Sequence, residues 1–366
     1  MPEKGAPPNV HPVQRRVLRA LEALSTPLLP DDYLEMVNPL WSTRELRGRI
    51  EDVRHEAGNA ATILIKPGYS WPGHKPGQFV RIGIDIDGVR HWRAYSLTSD
   101  PHREDGVISI TPKKVDEGKV SPYLVGEAKP GTIVSLSKIE GSFVLPDPPP
   151  EKLLFISAGS GVTPIMSMLR HLEHYEQLGD AVLLHSARHT DEVIFGEELR
   201  SLAERHDGFR LHEQLTREHG RMGPRDLDRL CPDWREREAY ISGPNEMLDA
   251  FTERFEREYD CDRLHLERFQ PKLGLGQSGE GEGGLIKFLK SDCEAKSDGH
   301  QPILVAGEKA GLELPFGCRE GICHTCVGEL CSGRVRDLRN GEVYGQEGEV
   351  IRTCISAPEG PVEIDL

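Results

Sequence analysis

Apolar positions along the chain change rhythm from one region to the next. In VQRRVLRALEALSTPLL (13–29) they recur at 13, 17, 21, 24 and 28, the spacing of one helix face. Such a stripe packs on its own protein or docks on a partner or membrane surface, and the residues leave both open. From Leu46 the runs shorten. LRGRIEDVRHE, ATILIKP, GQFVRIGIDID, VRHWRAYSLTS, GVISITPKK and GTIVSLSKI are brief β-rich segments punctuated by Gly, Pro and Asp. Six such runs in about a hundred residues predict an antiparallel barrel or sandwich. PDPPPEK (146–152) then interrupts the pattern and marks a domain boundary.

Beyond it, strand-sized runs alternate with helical ones. LLFISAG precedes TPIMSMLRHLEHYEQLG, and AVLLHSA precedes FGEELRSLAERH. FRLHEQLT, EAYISG and EMLDAFTERFEREY follow. This alternation predicts a parallel sheet. LGLGQSGEGEGG (273–284) reads as a flexible linker. The expected organisation is a multidomain α+β chain. It has a helical extension at 1–45, an antiparallel β-barrel at 46–148, an α/β parallel-sheet domain at 149–270, a linker at 271–283 and a small Gly-rich unit at 284–366.

No apolar run approaches the roughly 18 residues that a membrane helix needs. The start, MPEKGAPPNVHPVQRR, lacks the apolar middle of a signal peptide, so a cytoplasmic chain without a transmembrane segment is expected. The formal net charge of -15 argues against nucleic-acid binding, which rests on cationic contacts to phosphate. It suits a partner with a basic patch. From Gly284 onward the chain carries 14 acidic against 9 basic residues, so the small terminal unit shares that character.

There are eight cysteines, and in a reducing compartment these point to metal or redox chemistry rather than disulfides. CREGICHTC (318–326) has the spacing C-x4-C-x2-C, and Cys354 follows after 27 further residues. That is the plant-type 2Fe–2S spacing. Four thiolates must hold two irons. One tight loop supplies three of them, and a distant fourth closes the cage. Gly317 and Gly321 allow the loop to turn and aim backbone N–H groups at sulfur. Zinc, the alternative, favours paired CxxC knuckles, and only Cys323 and Cys326 form one. Cys331 is read as buried and inert, or as near the cluster without ligating it. His324, inside the loop, is a surface residue or one that tunes the potential or touches a partner. Residues 284–366 resemble a plant-type ferredoxin domain. The resemblance implies a β-grasp fold with Cys318, Cys323, Cys326 and Cys354 as cluster ligands.

RAYSLTS (93–99) closes a predicted barrel strand. Alternation places Arg93 and Tyr95 on one face, where a ring can stack on a flavin and a guanidinium can grip a diphosphate. A plain barrel strand with a surface Arg is the alternative. GKVSPYL (118–124) turns into a short helix, an arrangement suited to an anion. AGSGVTPIMSMLRHL (158–172) follows the strand KLLFIS. Gly159 and Gly161 let the backbone approach a phosphate, and Pro164 fits a first helical turn. The pattern is not G-x-G-x-x-G. ISGP (241–244) ends another strand, and both motifs lie at carboxyl ends, where parallel sheets bind ligands.

Taken in order, PGQFV, RAYSLTS, GKVS, GSGVTP, SGP and HLERF resemble the ferredoxin–NADP reductase superfamily over about residues 46–270. The resemblance implies that Arg93, Tyr95 and Ser96 hold a flavin and that Gly118, Lys119, Val120 and Ser121 hold its diphosphate. It gives Gly159, Gly161, Val162 and Thr163 to the nicotinamide nucleotide. Ser242, Gly243 and Pro244 stand where many relatives have Cys-Gly-Pro. Glu267 and Phe269 align with an acid and an aromatic near the flavin ring. Tyr95, Ser96, Ser242 and Glu267 form the expected catalytic set. FAD is preferred to FMN because GKVS offers a second diphosphate contact. After AVLLH, the segment SARHT has no acid until Asp191. Ser186 and Arg188, with Arg217 behind them, are therefore candidates for a 2′-phosphate, and NADPH is expected over NADH. A merely solvated Arg188 is the alternative.

A flavin between a hydride donor and a one-electron cluster makes a relay. The expected activity is a reductase that passes electrons from NADPH through FAD and a 2Fe–2S cluster to an external acceptor. The module order resembles the reductase components of bacterial oxygenases and desaturases, and LLPDDYLEMVNPLWS (28–42) resembles actinobacterial reductases that feed fatty-acid desaturases. The implied partner is a terminal oxygenase or a membrane desaturase, and the chain is expected to be a monomer, peripheral to a membrane only through that partner. A redox-sensing module without steady turnover is the second reading.

Overall fold

The computed structural model describes residues 30–115, 118–258, 261–269, 281–312, 314–316, 321 and 326–366. The chain divides into two compact units, one running to Glu267 without Trp92–Ala94, and the other comprising Trp92–Ala94 and Arg268–Leu366. The helical stripe expected at 13–29 lies outside the described residues. After it come a helix, Pro30–Val37, and a 3-10 turn, Pro39–Trp41. Asn38 caps that turn by accepting the Leu40 N–H at 3.0 Å.

The six β-rich runs form β1 (Arg47–His55), β2 (Ala61–Pro67), β3 (Phe79–Ile86), β4 (Val89–Ser96), β5 (Ile108–Ile110) and β6 (Ile133–Leu136). They make one sheet in the order β4-β3-β6-β1-β2-β5. Ile50, Ile63, Ile65, Val80, Ile82, Leu97, Ile110 and Val134 fill its interior. A buried hydroxyl ladder fixes the end of β4. Thr98 Oγ1 lies 2.8 Å from Ser109 Oγ and 3.3 Å from Thr111 Oγ1, which lies 2.9 Å from Thr62 Oγ1.

The next strands are β7 (Leu153–Ala158), β8 (Ala181–Ala187), β9 (Phe209–Leu215), β10 (Glu238–Ser242) and β11 (Leu264–Glu267). They are parallel, in the order β11-β10-β7-β8-β9. Helices cover both faces, which is why β7 and β8 are nearly continuous apolar runs. Leu153, Phe155, Leu183 and Tyr240 pack under the helices Val162–His174 and Gly196–Arg205. Leu154, Ile156, Val182, Leu184 and Ile241 pack under Asn245–Glu258, with Trp234. Phe143 and Leu145, past the end of the barrel, join the first of these cores, so barrel and parallel sheet share apolar packing. The helical run read as far as LEHYEQLG stops at His174, because Glu176 turns the chain with φ +54°.

In the second unit β12 (Gly284–Phe288), β13 (Cys293–Ser297), β14 (Val327–Asp337), β15 (Val343–Tyr344), β16 (Glu349–Arg352) and β17 (Ser356–Asp365) form a mixed sheet. Its order is β13-β12-β17-β14-β15, with β16 on β14. Ile286, Phe288, Leu330, Val335 and Ile364 pack against Ile303 and Leu304 of the helix Ile303–Lys309. An antiparallel sheet, a parallel sheet with helices and a small mixed sheet are the three architectures expected from the sequence. Among the described residues no helix is long and apolar enough to cross a membrane.

Candidate active site

Two glycine turns meet at the carboxyl edge of the parallel sheet. β7 runs into the 3-10 turn Gly159–Gly161, which opens the helix Val162–His174. Gly159 sits at φ +54°, and nothing lies within 4 Å of the place where its Cβ would be. It is an open, left-handed backbone position that favours glycine. Gly161 is needed for the opposite reason. A Cβ there would stand 2.2 Å from the Ser242 carbonyl oxygen and 2.9 Å from Gly243 Cα. The GSG turn and the SGP turn are therefore pressed backbone to backbone. A Cβ on Gly243 would in turn meet Met247 Cε at 2.7 Å. Thr163 Oγ1 donates to the Ser160 carbonyl at 2.9 Å, which stiffens the turn from within. Val162 and Thr163 are buried at its base.

The strand register lines up a polar row just beneath these turns. Glu267, Ser242, Ser157, His185 and Glu213 occupy matching positions on five neighbouring strands. Ser242 is fully buried, and its Oγ has no hydrogen-bond partner among the described residues. A buried hydroxyl in that state is one that a ligand or a water completes. Beside it, burial pushes the Glu267 carboxyl up to about 7, so this acid exchanges a proton near neutrality. Ser157 Oγ lies 2.8 Å from His185 Nδ1, and burial holds His185 down at about 4, in its neutral form. The sequence reading passed over His185 as part of an apolar strand. Its signal was a titratable residue at an inward position immediately before Ser186.

Further along the same edge, Ser186 is buried and Arg188 is exposed. The Arg217 N–H donates to the Arg188 carbonyl at 3.3 Å, and the Arg217 guanidinium contacts His189 Nε2. The ends of β8 and β9 thus bring Ser186, Arg188, His189 and Arg217 into one neighbourhood. His189 was not singled out from sequence.

On the barrel, Arg93 and Tyr95 are half-buried near the end of β4, and Ser96 is buried. Arg93 Nη1 donates to the Trp92 carbonyl at 2.8 Å. In the GKVS segment the Gly118 N–H donates to the Val115 carbonyl at 2.9 Å. Ser121 Oγ accepts the Val115 N–H at 3.1 Å, so this hydroxyl closes the turn. Lys119 precedes the helix Val120–Gly126, whose first turn has no side-chain cap. Pro244 leads from Gly243 into the helix Asn245–Glu258. Phe269 is half-buried two residues past β11.

In the second unit Cys326 and Cys354 are buried. The Gly321 N–H donates to Cys354 Sγ at 3.2 Å, the kind of backbone contact that stabilises charge on cluster-bound sulfur. Gly321 has φ +71°, and a Cβ there would meet Ile355 Cδ1 at 2.5 Å. Arg352 Nη1 donates to the Gly321 carbonyl at 2.8 Å, and both the amide and the hydroxyl of Thr353 donate to the Cys326 carbonyl. Two of the four expected ligands are thus held by one hydrogen-bonded frame, and it fits a cluster. Cys318, Cys323, His324 and Gly317 lie outside the described residues. Cys331, for which a buried position was one reading, is half-exposed on β14.

Comparison with known proteins agrees with this geometry. Residues 71–144 match the family described as oxidoreductase FAD-binding domain, 155–253 the oxidoreductase NAD-binding domain, and 287–359 the 2Fe-2S iron-sulfur cluster binding domain. An NADPH oxidoreductase of Mycobacterium tuberculosis is 44% identical over 359 residues, covering 97% of this chain and 93% of that protein. A glycine betaine monooxygenase reductase subunit of Pseudomonas aeruginosa is 32% identical over 319 residues, 80% of this chain and 87% of that one. The fold is similar to that of phthalate dioxygenase reductase, with a TM-score of 0.58 at 21% identity, over 87% of this chain and 97% of that one.

The contact between the two glycine turns yields a direct test. Gly161→Ala forces the SGP backbone to move, and a displacement of ~1 Å at a reacting centre can cost about a hundredfold in rate. Anaerobic stopped-flow should show NAD(P)H-driven flavin reduction slowed by about that factor, with dithionite reduction unchanged. An unaltered NAD(P)H rate would contradict the site.

Proposed function

The chain belongs to the family of NAD(P)H-dependent oxidoreductases that join FAD-binding, NAD-binding and 2Fe–2S domains, and from that premise we propose that it takes electrons from NADPH and delivers them to a membrane fatty-acid desaturase. The transfer of electrons from NAD(P)H through FAD to a 2Fe–2S cluster is the family's chemistry. The finer reading rests on two features of this chain. The cationic neighbourhood of Ser186, Arg188 and Arg217 suits a 2′-phosphate. The segment 28–42 resembles reductases that feed fatty-acid desaturases, and the alignment with the mycobacterial NADPH oxidoreductase, at 97% of the chain, takes in most of the N-terminal extension. The domain limits near 46, 149 and 284, a cytoplasmic location and a monomeric state belong to the same proposal.

Bound flavin accepts two electrons as a hydride and releases them singly, a conversion that neither nicotinamide nor an iron–sulfur cluster makes. The residues of this chain supply the positioning. In this reading Arg93 and the segment Gly118, Lys119, Val120 and Ser121, which leads into a helix without a side-chain cap, would hold the flavin diphosphate, and Tyr95 and Ser96 would set its ring. Gly159, Gly161, Val162 and Thr163 cradle the nucleotide, and the SGP segment of Ser242, Gly243 and Pro244 seats the nicotinamide. Ser242 Oγ, without a hydrogen-bond partner among the described residues, would offer a hydrogen bond to the bound nucleotide or flavin. Glu267 holds or gives up a proton beside it, because burial places its pKa in the working range. Cys318, Cys323, Cys326 and Cys354 hold the cluster, and the Gly321 N–H favours its reduced, more negative form.

Two measurements test this reading. Removing a guanidinium that pairs with a phosphate costs roughly 1.5–3 kcal/mol, so Arg188→Ala should lower kcat/KM for NADPH by tenfold or more, on the order of 1.4 kcal/mol. The value for NADH should stay within about twofold. Equal losses with both nucleotides would remove Arg188 from the 2′-phosphate site. For the acceptor, reconstitution with desaturase-containing membranes should give NADPH-dependent acyl desaturation. Transfer to a Rieske oxygenase but none to the desaturase would refute the acceptor.

A further inference from the structure

The helix Val162–His174 grips the barrel through one polar stripe. Ser167, Arg170, His171 and His174 fall at i, i+3, i+4 and i+7, a single helical face. Ser167 Oγ donates to the Ser99 carbonyl at 2.8 Å, and Arg170 Nη1 donates to the Thr98 carbonyl at 2.6 Å. His174 Nδ1 lies 3.1 Å and His171 Nδ1 3.9 Å from the two carboxylate oxygens of Asp100. The His102 ring, on the same loop, lies 5.5 Å from that of His171 and 5.3 Å from that of Tyr175. The loop so held follows Arg93, Tyr95 and Ser96 directly, and the helix that holds it begins at the Gly159–Thr163 turn. One latch thus joins the segment read as holding flavin to the segment read as holding nucleotide.

We propose that Asp100, His171 and His174 are positioning residues for hydride transfer, locking the nucleotide turn onto the flavin strand in a proton-dependent way. This rests on the relay reading above. His171 is mostly buried, beside two further imidazoles, with Asp100 as the near counter-charge. Burial holds it below the ordinary imidazole range, opposed in part by Asp100 and more distantly by Asp147. The neutral ring is the form that the closed junction favours. The stabilisation is therefore complete above the ordinary histidine pKa and is lost as pH falls through that value toward the depressed one. Of the other charged groups at the junction, Arg103 pairs with Asp105 and also feels the Asp100 carboxylate, Glu173 pairs with Arg205 and His206, and Glu198 pairs with Arg170 of the stripe itself. His74, held at about 4 by burial, lies 3.4 Å from the Ser99 carbonyl and stays neutral throughout.

The test is the rate of flavin bleaching by NADPH in anaerobic stopped-flow, with the full flavin- and cluster-loaded chain. It runs from about pH 5.5 to about pH 8.5, where imidazoles titrate. Dithionite reduction of each protein serves as the reference. Wild type should show an acid limb in the limiting rate. Asp100→Ala should lower that rate about tenfold near neutrality, with the apparent Kd for NADPH within about twofold, because the adenosine end of the nucleotide is held elsewhere. His174→Gln keeps a donor toward Asp100 and should retain the rate to within about twofold, where His174→Ala does not. Glu267 titrates in the same window, so the limb of the latch is read on a Glu267→Gln background, where adding His171→Gln should flatten it. Coincident profiles for wild type and Asp100→Ala, or an acid limb that persists on that background when His171→Gln is added, would overturn the positioning role. If dithionite bleaches wild-type flavin but NADPH does not, the relay reading itself fails and takes the latch with it.

Discussion

A hydride moves only across contact distance, and that requirement governs the whole first unit. Two ring systems, each carried by a different subdomain, must be brought together face to face and then kept there. The chain meets the demand with backbone rather than long side chains. Gly161 allows the turn after β7 to press against the Ser242 carbonyl, and Gly243 fits against Met247 on the far side. Behind these turns, the shared packing of Phe143 and Leu145 with Phe155 and Tyr240 fixes the barrel against the parallel sheet. Precision at the edge thus follows from apolar burial a few residues away.

Electrostatics at that edge are arranged by depth. Ser242 and Glu267 sit in register on adjacent strands, one a buried hydroxyl without a partner among the described residues and the other an acid poised near neutrality by burial alone. The Ser157–His185 pair, also in register, is fully buried and stays neutral, so it adds dipoles without adding charge. The row itself ends in Glu267 and Glu213, and the cations Arg188 and Arg217 lie beyond it, past the ends of β8 and β9. In the proposed reading, neutral groups beneath the glycine turns and cations past the strand ends suit a dinucleotide with a redox-active ring and a phosphate-bearing end. In the second unit the same economy appears in the Gly321 N–H directed at Cys354 Sγ.

Much of this was legible in the residues. The β-rich runs, the β–α alternation and the cysteine spacing each carry a physical period or a fixed geometry, so the three architectures followed from them. The glycine motifs pointed to the carboxyl edge because only glycine tolerates such backbone approach. What the residues did not disclose was register. Whether Ser157, His185, Ser242 and Glu267 share a row depends on strand offsets that no local pattern encodes, and so His185 went unnoticed. Nor did the helix reading show which face of MSMLRHLEHY meets Asp100. That depends on how the helix lies on the barrel loop, a tertiary fact. His189 was missed for a similar reason, since its contact with Arg217 joins the ends of two strands.

The relay can be watched as a whole. The full chain, purified with flavin and cluster intact, is titrated anaerobically with NADPH while visible absorbance and electron-spin resonance are recorded. Bleaching of the flavin together with growth of a rhombic 2Fe–2S signal is the result expected, with NADH less effective at equal concentration. A flavin that bleaches fully while the cluster stays oxidised under excess NADPH would contradict an internal path from nucleotide to cluster.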